Sequence, residues 1–552
     1  MRRGRPTSSS PVTTTAPDFD RLAEEFVAEE LAADPTTATA LGVPGHDDAV
    51  PDLTAEGFAR RAAAEDRWTA RLQAVDPAAL SAAQQIDRDL ILMRLRGREV
   101  MRDWADWRRS PDTYTGPPLS GVFTAFLHRL RPEPELAADA ATRIRAMPDL
   151  LAAGRANLDP ELASPLLVRR ALGQARGAVG YLRDDLPAQV ADGESRRTLA
   201  AAGEVAAAAC EEYAEFLEDL AERATGDWAI GEERYTAILR ESEGLGYGTR
   251  ELRERGQAAY DDLAADMRRR SFDISGSEDW RALLDELNAD HPPTPEAMRE
   301  AYADWTKRAR AFCVERDLVT LPEGESCAVV PSPAFQRSVI AVAFYVEPPP
   351  FSDRRTGHFF VPFPPEGFTD EQVQQRLATN SHASIPTIAV HEAYPGHHWH
   401  LAWVGATCDR PVRKVLGTSY FTEGWALYAE QLLLEEGFFA DPRHALASVD
   451  ARLFRAARIV VDTSLHLGEM TVEEAVDYMS TKASLSEETA RAEVARYCAW
   501  PTQASSYLTG ALEIRRMRDD YLAGGRGSPK AFHDTLAGSG ALPIGLGERS
   551  VR

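Results

Sequence analysis

The stretch Ile385-Pro386-Thr387-Ile388-Ala389-Val390-His391-Glu392-Ala393-Tyr394-Pro395-Gly396-His397-His398 decides how the rest of the chain is read. A mostly apolar run leads into a histidine followed at once by a glutamate. A zinc hydrolase needs three neutral or anionic ligands, an open position for water and a carboxylate beside that water. The usual solution is His-Glu-x-x-His, because residues at i and i+4 share one helix face. Here position i+4 is Pro395, which cannot bind metal. The departure sets a geometric problem that the fold has to solve.

Helical arithmetic states the problem. In an unbroken helix His397 would lie about 240° round from His391 and about 9 Å along the axis. His398 would return to the same face but about 10.5 Å along. Neither can share an ion with His391, so the helix must break. Pro395 lacks an N–H for the His391 carbonyl, and its ring clashes with that carbonyl. It also pushes Tyr394 out of the helical region, and Gly396 permits an unusual dihedral after it. Such a break could swing a histidine back to His391. His397 is the expected second ligand, with His398 as the alternative, and Glu392 is placed as the general base.

The third ligand should come from a neighbouring helix. In Thr422-Glu423-Gly424-Trp425-Ala426-Leu427-Tyr428-Ala429-Glu430 the two glutamates are seven apart and share a face. They sit among aromatic and aliphatic residues, where a carboxylate needs a partner. Glu423 is the expected ligand, and Glu430 the residue expected to hold a ligating histidine. Further on, Arg458, Asp462 and His466 recur at helical spacing and form one polar stripe on an apolar helix. They read either as a buried ion-pair ladder or as support for the site, with His466 presented to a substrate oxyanion. In Trp500-Pro501-Thr502-Gln503-Ala504-Ser505-Ser506-Tyr507, Tyr507 could donate its phenol to that oxyanion or serve only in packing.

Around this segment the chain reads as mainly α, a large multi-helix body with one small sheet beside the zinc-motif helix. Residues 1–17 read as a disordered tail, 18–325 as a helical region and 326–552 as the region carrying the site. The two regions are expected to form one continuous body. Gly244-Leu245-Gly246-Tyr247-Gly248 follows a helix rather than a strand, which favours an interhelical turn, capped by Thr249, over a phosphate loop. Gly524-Gly525-Arg526-Gly527 reads as a helix terminator. Ala328-Val329-Val330, Ser338 to Tyr345 and Gly357-His358-Phe359-Phe360-Val361 are β-prone. Pro362 and Pro364 suit the end of an edge strand, so a peptide is expected to pair along Gly357, His358, Phe359 and Phe360.

A net charge of −24 argues against nucleic acid and anionic membranes as partners. Five scattered cysteines with no CxxC pair suggest reduced thiols, and no apolar run suits a signal peptide or a membrane span. A cytoplasmic location is the expectation. The oligomeric state is not readable.

These segments together resemble the bacterial domain-of-unknown-function family 885, whose members carry His-Glu-x-x-Pro-Gly-His-His followed by a Glu-Gly-Trp-Ala helix. The resemblance runs from about residue 20 to 545. It also rests on Gly231-Glu232-Glu233-Arg234-Tyr235, on Phe344-Tyr345 with Pro348-Pro349, on the Arg458/Asp462/His466 stripe, and on Gln503-Ala504 with Ser506-Tyr507 and Gly510. Two positions depart from the family pattern: His400 stands where Gln is usual, and Thr502 where Gly is usual. The family in turn resembles gluzincin metallopeptidases, whose Glu-x6-Glu helix supplies the third ligand from its first Glu. That implies one zinc ion per chain and hydrolysis of short peptides. The alternatives are hydrolysis of another small amide or ester, or a structural metal site that His398 and His400 could close.

Overall fold

The computed structural model describes residues 16–333, 336–337 and 342–552. The chain is mainly α with one small mixed sheet, as its periodicity implies. The tail expected over 1–17 lies outside the described residues, except that the first helix, Ala16–Ala33, begins within it. Caps mark many helix starts: Ser81, Thr369 and Thr471 each close a capping box with Gln84, Gln372 and Glu474. The Gly244–Gly248 segment is a turn between helices Glu232–Glu241 and Thr249–Ser275. Gly248 holds the cap position there, and the Thr249 N–H donates instead to Thr236 Oγ1 at 3.1 Å. Gly525, at φ +64°, follows the end of helix Gln503–Ala523.

Three strands form the sheet: β1 (Ser326–Pro331), β2 (Phe344–Val346) and β3 (Thr356–Val361). Their order is β1-β3-β2, with β1 parallel and β2 antiparallel to β3. This corrects one expectation. The strand holding Gly357, His358, Phe359 and Phe360 is the middle strand, so both of its hydrogen-bonding edges are taken and no peptide can pair with it. Of the β-prone run from Ser338 to Tyr345, residues 338–341 lie outside the described residues.

Alternation along β3 gives the sheet two faces. Phe360 stacks on Phe344 (4.7 Å between centroids) and approaches Phe123, while His358 lies 6.4 Å from His128. Phe359 packs edge-on against Tyr302 of helix Pro295–Glu315. Gly357 lies on that second face, where a Cβ would come within 1.9 Å of Tyr345 Oη and 2.8 Å of His398 Nδ1. The absent side chain makes room for those two groups.

The largest apolar cluster draws on both sides of residue 325, from Leu167 to Val551. Ile385, Ala389, Val390, Trp399 and Trp425 are fully buried within it. A helix apolar on all sides belongs inside a large core, and that is where Ile385–Glu392 is held.

Candidate metal centre

Helix Ile385–Glu392 stops where the sequence requires. Ala393 leaves the helical region (φ −117°, ψ −86°), the Tyr394–Pro395 peptide is cis, and a new helix, His397–Thr407, starts directly after Gly396. The gap is closed by the Gly396 N–H donating to the Val390 carbonyl at 3.2 Å and the Trp399 N–H donating to the Ala393 carbonyl at 3.1 Å. Trp425 clamps the turn from the neighbouring helix, its indole N–H donating to the Pro395 carbonyl at 2.8 Å. Gly396 has an ordinary φ of −71°, so the freedom of a left-handed turn is not what it supplies. A Cβ there would lie 1.9 Å from the His391 carbonyl oxygen and 2.3 Å from that of Val390. The glycine is needed because the backbone folds back onto itself.

The fold-back brings the histidines together. The His391 and His397 rings stand perpendicular with centroids 4.8 Å apart. Glu423 Oε2 lies 3.3 Å from His397 Nε2 and 3.7 Å from His391 Nε2. One ligand atom from each of the three lies within 4.8 Å of the others. Two ligands held about 2.0–2.1 Å from a tetrahedral ion lie about 3.3 Å apart, so this donor set fits a zinc ion. On the far side of the ring, His391 Nδ1 meets Glu430 Oε1 at 2.7 Å. Since a carboxylate only accepts, a proton sits on Nδ1, which leaves Nε2 as the ring nitrogen that faces Glu423.

His398 is not available to ligate. It is fully buried, with Nε2 2.8 Å from Glu325 Oε2 and Nδ1 2.9 Å from the Tyr345 hydroxyl. Consecutive helical residues point about 100° apart, so delivering His397 to the site turns His398 away from it. Glu325 also accepts from Tyr394 Oη and from Arg310 Nε at 2.8 Å, and its carboxyl is held down at about 2. Burial opposes that ionisation, but the hydrogen bonds from His398, Tyr394 and Arg310 outweigh it. His400, fully buried between Phe421 and Trp425, lies outside the three-residue group.

The electrostatics favour a cation. Glu392, Glu423 and Glu430 gather around two buried histidines. Burial works against charging His391, yet Glu423 and Glu430 raise its pKa to about 9. Glu423 is held well below the usual carboxylate range: burial opposes this, and the two histidines overcome it. Glu392 is raised, first by burial. The side chain of Glu423 retains 22 % exposure, which opens the site to solvent.

Other candidates divide. Tyr507 is near enough to Glu423 for that carboxylate to raise its phenol, after burial as the main cause. Gln503 Nε2 lies 3.2 Å from its oxygen, and Arg458 lies over its ring at 4.8 Å. Arg458 also donates to Glu493 at 2.7 Å and to Tyr497 Oη at 3.1 Å, so it supports the wall behind Tyr507. His466 and Asp462 depart from the expectation. His466 is fully buried, with Nε2 3.1 Å from the Tyr497 carbonyl and its ring against Trp228 and Tyr235. Asp462 accepts from Tyr235 Oη at 2.6 Å. Among the described residues neither contacts the histidine pair, and the stripe is not one continuous ladder: Arg458 pairs away from it with Glu493, while His466 and Asp462 pair at 3.7 Å.

Two glycines explain further motif positions. Gly510 and Gly424 meet where helices Gln503–Ala523 and Ser419–Glu435 cross; a Cβ on Gly510 would lie 1.8 Å from the Tyr420 carbonyl oxygen. This contact seats the Glu423 helix beside Tyr507. Thr502 stands at φ +70°, a left-handed position that accounts for glycine being usual there. Sequence reasoning missed Glu325 and Tyr345 as site-adjacent residues. Phe344-Tyr345 was the available signal, but nothing in the string says that Tyr345 faces His398.

The chain matches the model of the family DUF885, "Bacterial protein of unknown function", over residues 35–551, and it belongs to that family. No curated protein matches it in sequence. Two solved structures share its fold. One, described as a "putative lipoprotein of unknown function" from Shewanella oneidensis, is 22% identical, with a TM-score of 0.78 over 96% of this chain and 98% of that one. The other, a "putative lipoprotein" from Colwellia psychrerythraea, is 20% identical, with a TM-score of 0.81 over 98% and 99%. Within the described residues of this chain, no helix is long and apolar enough to cross a membrane.

Proposed function

We propose that this DUF885 member is a zinc-dependent hydrolase that cleaves short peptides, with His391, His397 and Glu423 as metal ligands and Glu392 as general base. The observation that carries the reading is the convergence of those three ligand atoms within 4.8 Å, beside a buried carboxylate that is not itself a ligand. A purely structural zinc site would be closed by a fourth protein ligand. Bound zinc would polarise the scissile carbonyl and acidify water. Glu392, its carboxyl raised by burial, accepts the proton of the attacking water and returns it to the leaving amine.

Tyr507 donates to the carbonyl oxygen as charge develops there. The hydrogen bonds around it support this role. Arg496 can only donate, so the Gln503 atom it contacts is the oxygen, and the Gln503 amide N–H₂ then donates to Tyr507. The phenol keeps its own proton to give. The substrate would lie against β2, an outer strand, whose Tyr345 ring runs nearly parallel to that of His397 at 6.5 Å.

Metal analysis of protein purified without added metal should find about one zinc per chain, lost on His391→Ala. Glu392→Gln should keep the zinc and abolish cleavage of a mixed-length peptide set. Full activity in that variant refutes the mechanism.

A further inference from the structure

Arg455 lies on helix Pro442–His466, one turn before Arg458, and differs from it in having no carboxylate partner. Arg458 is committed to Glu493, whereas Arg455 bonds only within its own helix, donating from Nη1 to the Ala451 carbonyl at 3.1 Å. Its Nε is buried without a partner, and no ion pair involves it among the described residues. Asp450 is close enough to feel its charge, but burial keeps that carboxyl up at about 7, and Asp450 Oδ1 also has no partner. The Arg455 guanidinium sits 5.9 Å from the centre of the Tyr507 ring.

A guanidinium set against the Tyr507 ring, with its Nε unpartnered and no ion pair among the described residues, is incomplete. Desolvating a charge without a partner is costly, and a guanidinium presents a planar fork of donors that matches a carboxylate. The site otherwise presents the carboxylates Glu392 and Glu423, which would repel an anionic substrate end unless a cation received it. In a peptide, one residue beyond the scissile carbonyl carries the chain on by about 3.8 Å. The Arg455 guanidinium, 5.9 Å from the centre of the Tyr507 ring, lies between one and two such steps away.

We propose that Arg455 binds the free C-terminal carboxylate of the substrate, so that cleavage falls next to the carboxyl end of a short peptide. This rests on the peptidase reading above, with Tyr507 marking where the scissile carbonyl lies. The carboxylate accepts from the guanidinium, and the leaving piece is one or two residues long. A peptide ending in an amide loses the charge-assisted contact and is disfavoured at the binding step.

The test uses the full chain loaded with zinc and two sets of tetrapeptides of identical sequence, one ending in the acid and the other in the amide. Binding is measured by calorimetry on the Glu392→Gln variant, where no turnover interferes. The acids should bind about 10- to 100-fold tighter than the amides. Arg455→Gln on that background should bring the ratio close to one, and Arg455→Lys should restore part of it, with zinc content and circular dichroism unchanged in both. Equal binding of acids and amides, selectivity that survives Arg455→Gln, or no binding of either set overturns the proposal. Turnover of the same peptides by the wild type is read separately. Acid-selective binding without cleavage leaves the carboxylate site standing and removes the peptidase reading, whereas cleavage without acid selectivity does the reverse.

Discussion

Replacing Gly396 by alanine adds one methyl group at the point where the two halves of the metal motif fold onto each other. Its Cβ would lie 1.9 Å from the His391 carbonyl oxygen, 2.3 Å from that of Val390 and 2.6 Å from the His391 carbonyl carbon. Carbon and oxygen in close contact stand about 3.3 Å apart, so the chain must retreat by more than an ångström. All three contacts are with backbone, which cannot swing aside as a side chain can. The retreat breaks the bonds from the Gly396 N–H to Val390 and from the Trp399 N–H to Ala393. At about 1 kcal/mol each, with the strain of the displaced turn, the cost is about 2–4 kcal/mol of stability. His397 moves with the turn, and zinc ligation tolerates only about 0.2 Å. Zinc affinity should therefore fall at least about 100-fold. Competition against a chromogenic chelator measures the affinity, and urea unfolding of the metal-free protein measures the stability. Gly405→Ala is the control: it lies in the following helix with nothing within 4 Å of its added Cβ, and it should leave both values near wild type. Wild-type zinc affinity and unchanged unfolding in Gly396→Ala would refute the reasoning.

Three further outcomes can be checked. Glu430→Gln removes the charge behind His391 Nδ1 and should weaken zinc about 10- to 100-fold while leaving secondary structure intact; unchanged affinity in the same competition assay counts against that role. Thr502→Gly relieves a left-handed β-branched residue and should stabilise the protein by about 0.5–1 kcal/mol in urea unfolding, the gain being reduced by glycine's greater chain entropy. Burial raises Glu243 from 4.5 to about 8, so between those pH values the folded protein holds a proton that the unfolded chain has released. Its stabilising contribution is complete below pH 4.5 and is lost as pH rises through 8. Glu243→Gln should therefore gain on wild type by several kcal/mol between pH 5 and pH 8, and parallel stability–pH curves would exclude the effect.

The sequence by itself determined the fold class, because 3.6-residue periodicity and cap residues are local properties. It also determined that the metal motif could not be a regular helix, since Pro395 and helical geometry forbid it. Glu423 and Glu430 were legible as a pair because seven residues span about two turns. What the string could not carry was contact between distant segments. Which histidine the break turns inward depends on the path of Ala393–Gly396, which Trp425 fixes from another helix. His398 is withdrawn by Glu325 and Tyr345, two residues far from it in the chain. The role expected of β3 failed because strand order is set by pairing with β1 and β2, and alternation within one strand says nothing of its neighbours. His466 and Asp462 share a stripe with Arg458, but only packing against Tyr235 and Tyr497 decides that the stripe parts from the site. Local chemistry supplied the candidate ligands, and tertiary contacts decided which of them converge.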